Sequence, residues 1–327
     1  MKVLKILGAV IGALLAMAVG SFFWLSSSAN AKLAQTPSAH QVDFPIPVPL
    51  TEDEIAELSR DGERPSDEEL AKIAMERAVE RGRHLLAARY PCAECHGSDF
   101  GGGTMVDDPA MGRLLGPNLT LGKGSITKDY TAADWDRIVR HGIRKNGTAA
   151  VMPSEDFIAM SDRELSDIVA FIRSKPPVDK EVPAVALGPV GKILLATGGF
   201  RLAFETVPDH QKAHPSEPPQ AEESVEFGRH LAQVCTGCHR KELTGGPIAQ
   251  GPPDWPAAAN LTPHEQGLGS WTFEQFEAVM RKGIRRDGSA LGLPMSGVVP
   301  YGERMTDTEL KALWLYLRSL PPTPMGS

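Results

Sequence analysis

The chain has 327 residues, a formal net charge of −7 and a sequence pI of 5.8. That length has room for two domains. The acidic balance, with no basic stripe anywhere along the chain, excludes nucleic acid as a partner.

Lys2 and Lys5 precede an uncharged run, Ile6 to Leu25, of 20 residues, which matches the hydrocarbon thickness of a bilayer. By the positive-inside rule the lysines stay in the cytoplasm and everything after Leu25 lies outside the inner membrane. The run is long for a signal-peptide core, although Ala29-Asn30-Ala31 is an acceptable cleavage site. Residues 1–31 are therefore read as a membrane anchor, with a removed signal as the alternative. Residues 32–72, rich in proline and acid as in Phe44-Pro-Ile-Pro-Val-Pro-Leu50, read as an extended tether with a short helix, a spacer between membrane and domains.

One pentapeptide then occurs twice, Cys92-Ala-Glu-Cys95-His96 and Cys235-Thr-Gly-Cys238-His239, and uses all four cysteines. C-x-x-C-H is the attachment signal for c-type haem. Cysteines at i and i+3 share one face of a helical turn, so both thiols reach the two vinyl groups on one porphyrin edge. The following histidine turns its imidazole to the iron. A zinc ribbon wants roughly 15–20 residues between its pairs, whereas about 140 intervene here. A thioredoxin-like pair wants a βαβ context, and a disulfide needs no trailing histidine. Two covalent haems c are expected, in the periplasm, where bare thiols would tend to oxidise.

Around the motifs the chain repeats itself, as residues 73–178 and 222–327, with 179–221 as linker. Each copy opens on Gly-Arg-His-Leu, at Gly82–Leu85 and Gly228–Leu231, and carries Asn-Leu-Thr after the haem motif, at Asn118–Thr120 and Asn260–Thr262. Matching helices follow, with Thr131 and Thr272 as N-caps and Gly147 and Gly288 as stops. Each copy closes on a helix with a capping box, Ser161-Asp-Arg-Glu164 or Thr306-Asp-Thr-Glu309, that ends before Pro176-Pro177 or Pro321-Pro322. In the linker, Gly188–Leu202 is apolar enough for a short helix packed between the domains. Val190–Phe204 could instead dock on a partner or the membrane surface. Asp209–Ser224 reads as exposed loop.

A sixth iron ligand is also legible. Met152 follows His96 by 56 residues, and Met295 follows His239 by 56. Both lie in proline-containing loops, and a thioether suits an electron-transfer iron. Met160 and Met305 also match, but each precedes a capping box as one half of a hydrophobic staple. His84 and His230 match each other and are read as structural or propionate-facing. His141 is replaced by Lys282, which argues against a shared ligand role. Arg144 and Arg285 are candidate propionate or rim contacts, or solvated surface arginines.

These residues resemble a di-haem cytochrome c of two class I domains. Gly116-Pro117-Asn118-Leu119 is similar to the loop whose proline carbonyl, in that class, holds the proximal histidine. Ala258-Ala259-Asn260-Leu261 takes its place in the second copy, with a backbone carbonyl to offer. The pattern over most of 73–327 is similar to the cytochrome c subunits of bacterial membrane-bound alcohol, aldehyde and gluconate dehydrogenases. Those usually carry three haem domains, where this chain has two and an apolar amino-terminal segment. The resemblance implies an all-α fold of two tandem class I domains, each wrapped around a covalent haem. It implies an electron carrier rather than an enzyme, whose redox donor and acceptor could be a quinol-linked complex, a dehydrogenase, an oxidase or a soluble cytochrome. The cofactor residues are then Cys92, Cys95, His96 and Met152, with Cys235, Cys238, His239 and Met295. Of these, His96, Met152, His239 and Met295 bind the irons. The alternative is a di-haem redox enzyme, a peroxidase or one like thiosulfate dehydrogenase.

Overall fold

A computed structural model describes residues 2–59, 62–248, 251–252 and 254–326. Arg60 and Asp61 of the expected tether lie outside them. The chain is mostly helical. It opens with α1 (Lys2–Leu33), α2 (Glu52–Leu58) and α3 (Asp67–Ala88), followed by α4 (Cys92–His96). A small antiparallel sheet comes next, β1 (Gly103–Asp108) and β2 (Gly112–Gly116), an addition to the expected all-α fold. The first copy ends with α5 (Ala132–His141) and α6 (Asp162–Ser174). The linker adds β3 (Ala186–Leu187) to the edge of β2, then α7 (Pro189–Thr197). The second copy holds α8 (Val225–Leu231), α9 (Thr236–His239), α10 (Phe273–Lys282), α11 (Val299–Arg304) and α12 (Asp307–Ser319).

Each copy is built on one close helix crossing. α3 meets α6 at Gly82, where an added Cβ would lie 2.1 Å from the Asp167 carbonyl oxygen. α8 meets α12 at Gly228, 1.9 Å from the Ala312 carbonyl oxygen. Glycine lets the two backbones touch, and native packing density leaves no room for a methyl group there. Around the first crossing lie Tyr90, Phe100, Trp135, Phe157 and Leu165. Leu231, Leu243, Phe276, Leu310 and Leu317 surround the second.

Caps fall largely where the residues require. Thr131, Ser161, Thr272 and Thr306 each accept from the N3 amide and complete a capping box. The expected helix stops are corrected. α5 and α10 end at Gly142 and Gly283, which adopt the left-handed C-cap conformation at φ 67° and 64°. Gly147 and Gly288 instead turn the short hairpins that follow, bridged Ile143 to Ala149 and Ile284 to Ala290.

The tether is not a free spacer. Phe44 and Ile46 pack on the core of the first copy, Val48 N donates to Ser166 Oγ at 3.0 Å, and Leu50 and Ile55 join Leu70 and Ala74. Its alternating apolar residues make it a strap. α3 begins at Asp67, inside the stretch read as tether, under a capping box from Ser66 and Glu69. The linker helix is likewise not between the domains. α7 packs beside α1 and the sheet, where Leu195, Leu202, Ala29 and Ala149 form a small core of their own. The linker tail, expected as exposed loop, is pinned across the start of α6. Asp162 N donates to Pro215 O and Arg163 N to Ser216 O.

The two copies meet through swapped, near-equivalent contacts. His84 of the first donates to Glu309 of the second at 2.9 Å, and His230 of the second donates to Glu164 of the first at 2.8 Å. Ala88 packs into the second core, and Val234, its repeat counterpart, packs on the first. The relation is that of a two-fold axis, as in an isologous interface, within one chain. His84 and His230 are thus structural.

Candidate haem sites

Both motifs end a short helical segment. Cys92–His96 is α4 itself. In the second copy a 3-10 turn, Ala232–Cys235, runs into α9. Each pair of cysteines is therefore one helical turn apart, on free thiols. Protein packed around the Cys92 and Cys235 sulfurs pushes both thiols up to about 12. Neither is the low-pKa thiol of a redox-active pair.

The imidazoles are held alike. His96 Nδ1 donates to Pro117 O at 3.0 Å, and His239 Nδ1 donates to Ala259 O at 2.7 Å. The alanine in the second copy leaves this bond intact, because only a carbonyl is used. With Nδ1 committed as donor, Nε2 carries the lone pair in both rings. Burial holds both groups below the ordinary imidazole value against the pull of those carbonyls, so each ring is neutral.

The Asn-Leu-Thr repeats explain how the carbonyls are aimed. Asn118 Oδ1 accepts from Thr120 N while its Nδ2 donates to Val178 O at 2.7 Å. Asn260 does the same with Thr262 N and Thr323 O. Each asparagine is buried and ties the loop beyond the histidine-holding carbonyl to the segment leaving the double proline. On the other side of α4, Gly116 packs so tightly that a Cβ would lie 2.0 Å from the Cys95 carbonyl oxygen. The β1–β2 hairpin thus braces the first motif.

Met152 packs on the same core as Cys92, and Met295 on the same core as Cys235. Met160 and Met305 are buried beneath their capping boxes beside Leu165 and Leu310. In each copy one thiol and one thioether, Cys92 with Met152 and Cys235 with Met295, pack on a common apolar core, and the motif histidine is neutral with a defined tautomer. That soft donor set fits haem c. A further observation agrees in the first copy: Trp135 Nε1 is buried with no hydrogen-bond partner, as a donor awaiting an anionic group would be.

The two arginine candidates part company. Arg144 donates to Thr148 Oγ1 and, at short range, to Ala149 O, closing its own hairpin, while Arg285 is exposed. The contacts each motif makes with the opposite copy could not be read from the sequence. Tyr301 Oη donates to Glu94 at 2.8 Å, and a Cβ on Gly237 would lie 2.5 Å from Asp156 Oδ1. Both C-x-x-C-H motifs therefore lie at the interface between copies. Burial, with Glu155 adding to it, pushes the Asp156 carboxyl up to about 7. Asp156 and Tyr301 each lie four residues before a repeat methionine, Met160 or Met305, and that common register was the available signal.

Two sequence-family models match. Residues 225–321 match cytochrome c, and residues 77–172 match cytochrome c oxidase, cbb3-type, subunit III. Among curated relatives, the cytochrome c subunit of the quinone alcohol dehydrogenase of Gluconacetobacter polyoxogenes is 27% identical, over 75% of this chain and 56% of its own length. The fructose dehydrogenase cytochrome subunit of Gluconobacter japonicus is 26% identical, over 75% of this chain and 53% of its own. The gluconate 2-dehydrogenase cytochrome c subunit of Pantoea cypripedii is 28% identical, over 74% and 59%. The chain spans just over half the length of these relatives.

Proposed function

We propose that this chain, two cytochrome c domains with two covalent haems c, is an electron-transfer subunit that serves a membrane-bound dehydrogenase. The observation that carries this reading is the repeated site. Both copies hold a neutral histidine by a backbone carbonyl and set a repeat-matched methionine on the core that the first motif cysteine also joins, the ligand pair an electron carrier uses. The haem, when bound, supplies a one-electron Fe(III)/Fe(II) couple.

The chain's residues take these roles. Cys92, Cys95, Cys235 and Cys238 would form the thioether links. His96 and His239, oriented by Pro117 O and Ala259 O, would offer Nε2 to the irons. Met152 and Met295 would offer their sulfurs as the remaining ligands. The paired motifs at the interface place the two attachment points close to the same seam, as transfer between them requires. Dehydrogenase subunits among the relatives support a dehydrogenase as donor, and a quinol-linked complex, oxidase or soluble cytochrome remains the class of acceptor.

The localisation we favour is the inner membrane, with both domains in the periplasm. α1 from Lys5 to Leu33 is long and apolar enough to cross a bilayer. Its last turn supports retention rather than cleavage. Ala29 is fully buried against Leu195 and Leu202, and Lys32 pairs with Glu205 at 3.5 Å. Cleavage after Ala31 would remove Ala29 from that core.

The test is a stoichiometric reductive titration together with turnover assays on the purified full-length protein. An electron carrier takes up two electrons per chain and neither consumes peroxide nor oxidises thiosulfate catalytically. Steady turnover with either substrate would replace the carrier by the di-haem enzyme.

A further inference from the structure

Five ionisable side chains from three distant segments, none of them a haem-site residue, converge beside α5. His40 comes from the tether, Asp136 and His141 from α5, and His210 and His214 from the linker tail. One donor atom from each of His40, Asp136, His141 and His214 lies within 4.8 Å of the others. The individual separations are tighter where they are defined. His141 Nε2 and His214 Nε2 are 3.2 Å apart, and the Asp136 oxygens lie 3.7 Å from each. In a tetrahedral zinc site with bonds of 2.0–2.1 Å, ligand atoms are about 3.3 Å apart.

The hydrogen bonds behind these atoms fix the tautomers. His210 Nε2 donates to Phe204 O at 2.9 Å, so His210 Nδ1 is an acceptor. His141 Nδ1 donates to it at 3.0 Å, which leaves a lone pair on His141 Nε2. His40 Nδ1 donates to His210 O at 3.2 Å. His214 is also hydrogen-bonded to the Ile158 backbone. Three Nε2 lone pairs therefore face inward, each ring backed by an acceptor, the outer-shell arrangement of metal-bound histidines. His40 Nε2 and Asp136 Oδ2 are buried with no hydrogen-bond partner, which in a native protein calls for an occupant.

Charge points the same way. Among the described residues Arg140 is the cation that contacts the cluster, and it bonds Asp136 Oδ1 at 2.7 Å and Asp162 at 2.8 Å. Two carboxylates face one guanidinium, leaving a net negative charge for a divalent ion.

The second copy separates what is structural from what is added. Glu277, Arg281 and Asp307 repeat the carboxylate–arginine–carboxylate arrangement. Lys282 replaces His141 there and is exposed. The salt bridges thus belong to the repeated fold, and the histidines belong to the first copy alone.

We propose that His40, Asp136, His141 and His214 bind one divalent transition-metal ion of the zinc type, four-coordinate and closed to solvent, with His210 orienting His141. Four protein ligands with no open position mark a structural site. The ion staples tether and linker to the end of α5, next to Gly142 and the loop carrying Met152.

The experiment uses the full chain with both haems. After chelator treatment and exchange into metal-free buffer, Zn2+ is titrated by calorimetry, and zinc and iron are counted by mass spectrometry after gel filtration. One zinc per two irons is expected. His40→Ala and His214→Ala lose the bound zinc, and His264→Ala, in the second copy, keeps it. His210→Ala weakens binding about 10- to 100-fold. Zn2+ raises the melting temperature of the wild type and leaves that of His40→Ala unchanged. A wild type that takes up no stoichiometric zinc overturns the proposal, whether or not the variants fold. Equal zinc binding by wild type and both alanine variants overturns it too, by placing the ion elsewhere.

Discussion

The loop carrying Met152 is roofed by other parts of the chain, and the loop carrying Met295 is open. Over the first lie the last turn of α1, α7 and the linker, with Ala29, Leu195 and Leu202 fully buried against Ala149. Around the second, Ile284, Leu293 and Val298 are exposed, Leu293 at 67%. The side that holds each histidine does not differ in this way. Pro117 O and Ala259 O, Asn118 and Asn260, Gly82 and Gly228 do the same work in both copies. What repeats is the part that fixes the ligand imidazole. What diverges is the cover over the methionine loop, which in the second copy leaves an exposed apolar rim.

If the shared half of that comparison is right, the largest effects should be equal. Gly82→Leu and Gly228→Leu each drive a side chain into a backbone carbonyl, at a cost above about 3 kcal/mol. Haem content should fall from two per chain to one in either variant, as counted from the reduced absorbance spectrum. Loss of both haems from one variant, and of neither from the other, would break the equivalence.

The interface is symmetric in pattern but not in burial. Glu164 bonds Arg89 and His230, with all three buried, whereas Glu309 meets a His84 side chain that is 37% exposed. Glu164→Ala strands Arg89 and should cost about 3–5 kcal/mol. Glu309→Ala should cost about 1 kcal/mol or less. Denaturant unfolding measures both. Burial opposes ionisation of Glu164, but Arg89 and His230 outweigh it and hold the carboxyl down to about 2. Its contribution is therefore present above the ordinary carboxylate range and is lost as pH falls toward 2.

Trp135 sharpens the comparison within the pockets. Its partnerless indole N–H has no counterpart, because Phe276 stands in that place. Trp135→Phe should shift one haem potential by on the order of 20–60 mV, the worth of one hydrogen bond of about 0.5–1.5 kcal/mol. The other potential should stay fixed in a redox titration. The smallest effect concerns His84. Its bond to Glu309, partly offset by burial, raises its pKa above the ordinary imidazole value. That contribution is full below the ordinary value and fades as pH rises through the raised one. Alkaline pH should loosen this contact by under about 1 kcal/mol and leave the Arg89–Glu164 contact untouched. An interface nuclear resonance on each side reports both.

Much of this was legible because it is local. The capping boxes, the i, i+3 cysteines and the equal histidine-to-methionine spacings are written within short stretches. The helix stops were misplaced because Gly142 and Gly147 look alike in a sequence, and only the chain's path shows which one turns left-handed. The strapped tether was missed because Phe44 and Ile46 find their partners in α6 and its surroundings, far along the chain. The histidine cluster was invisible for the same reason: residues 40, 136, 141, 210 and 214 share no motif. The swapped His–Glu contacts needed both copies in place, although the repeat had already marked all four residues.

The central claim is that both copies hold iron between histidine and methionine despite their unequal cover. The most direct measurement is the weak iron–methionine charge-transfer band of the oxidised protein, quantified per haem in wild type, Met152→Ala and Met295→Ala. Ligation by Met152 and Met295 gives two haems' worth of band in the wild type and about half in each variant. A wild type with one haem's worth, or a variant that leaves the band whole, would contradict it.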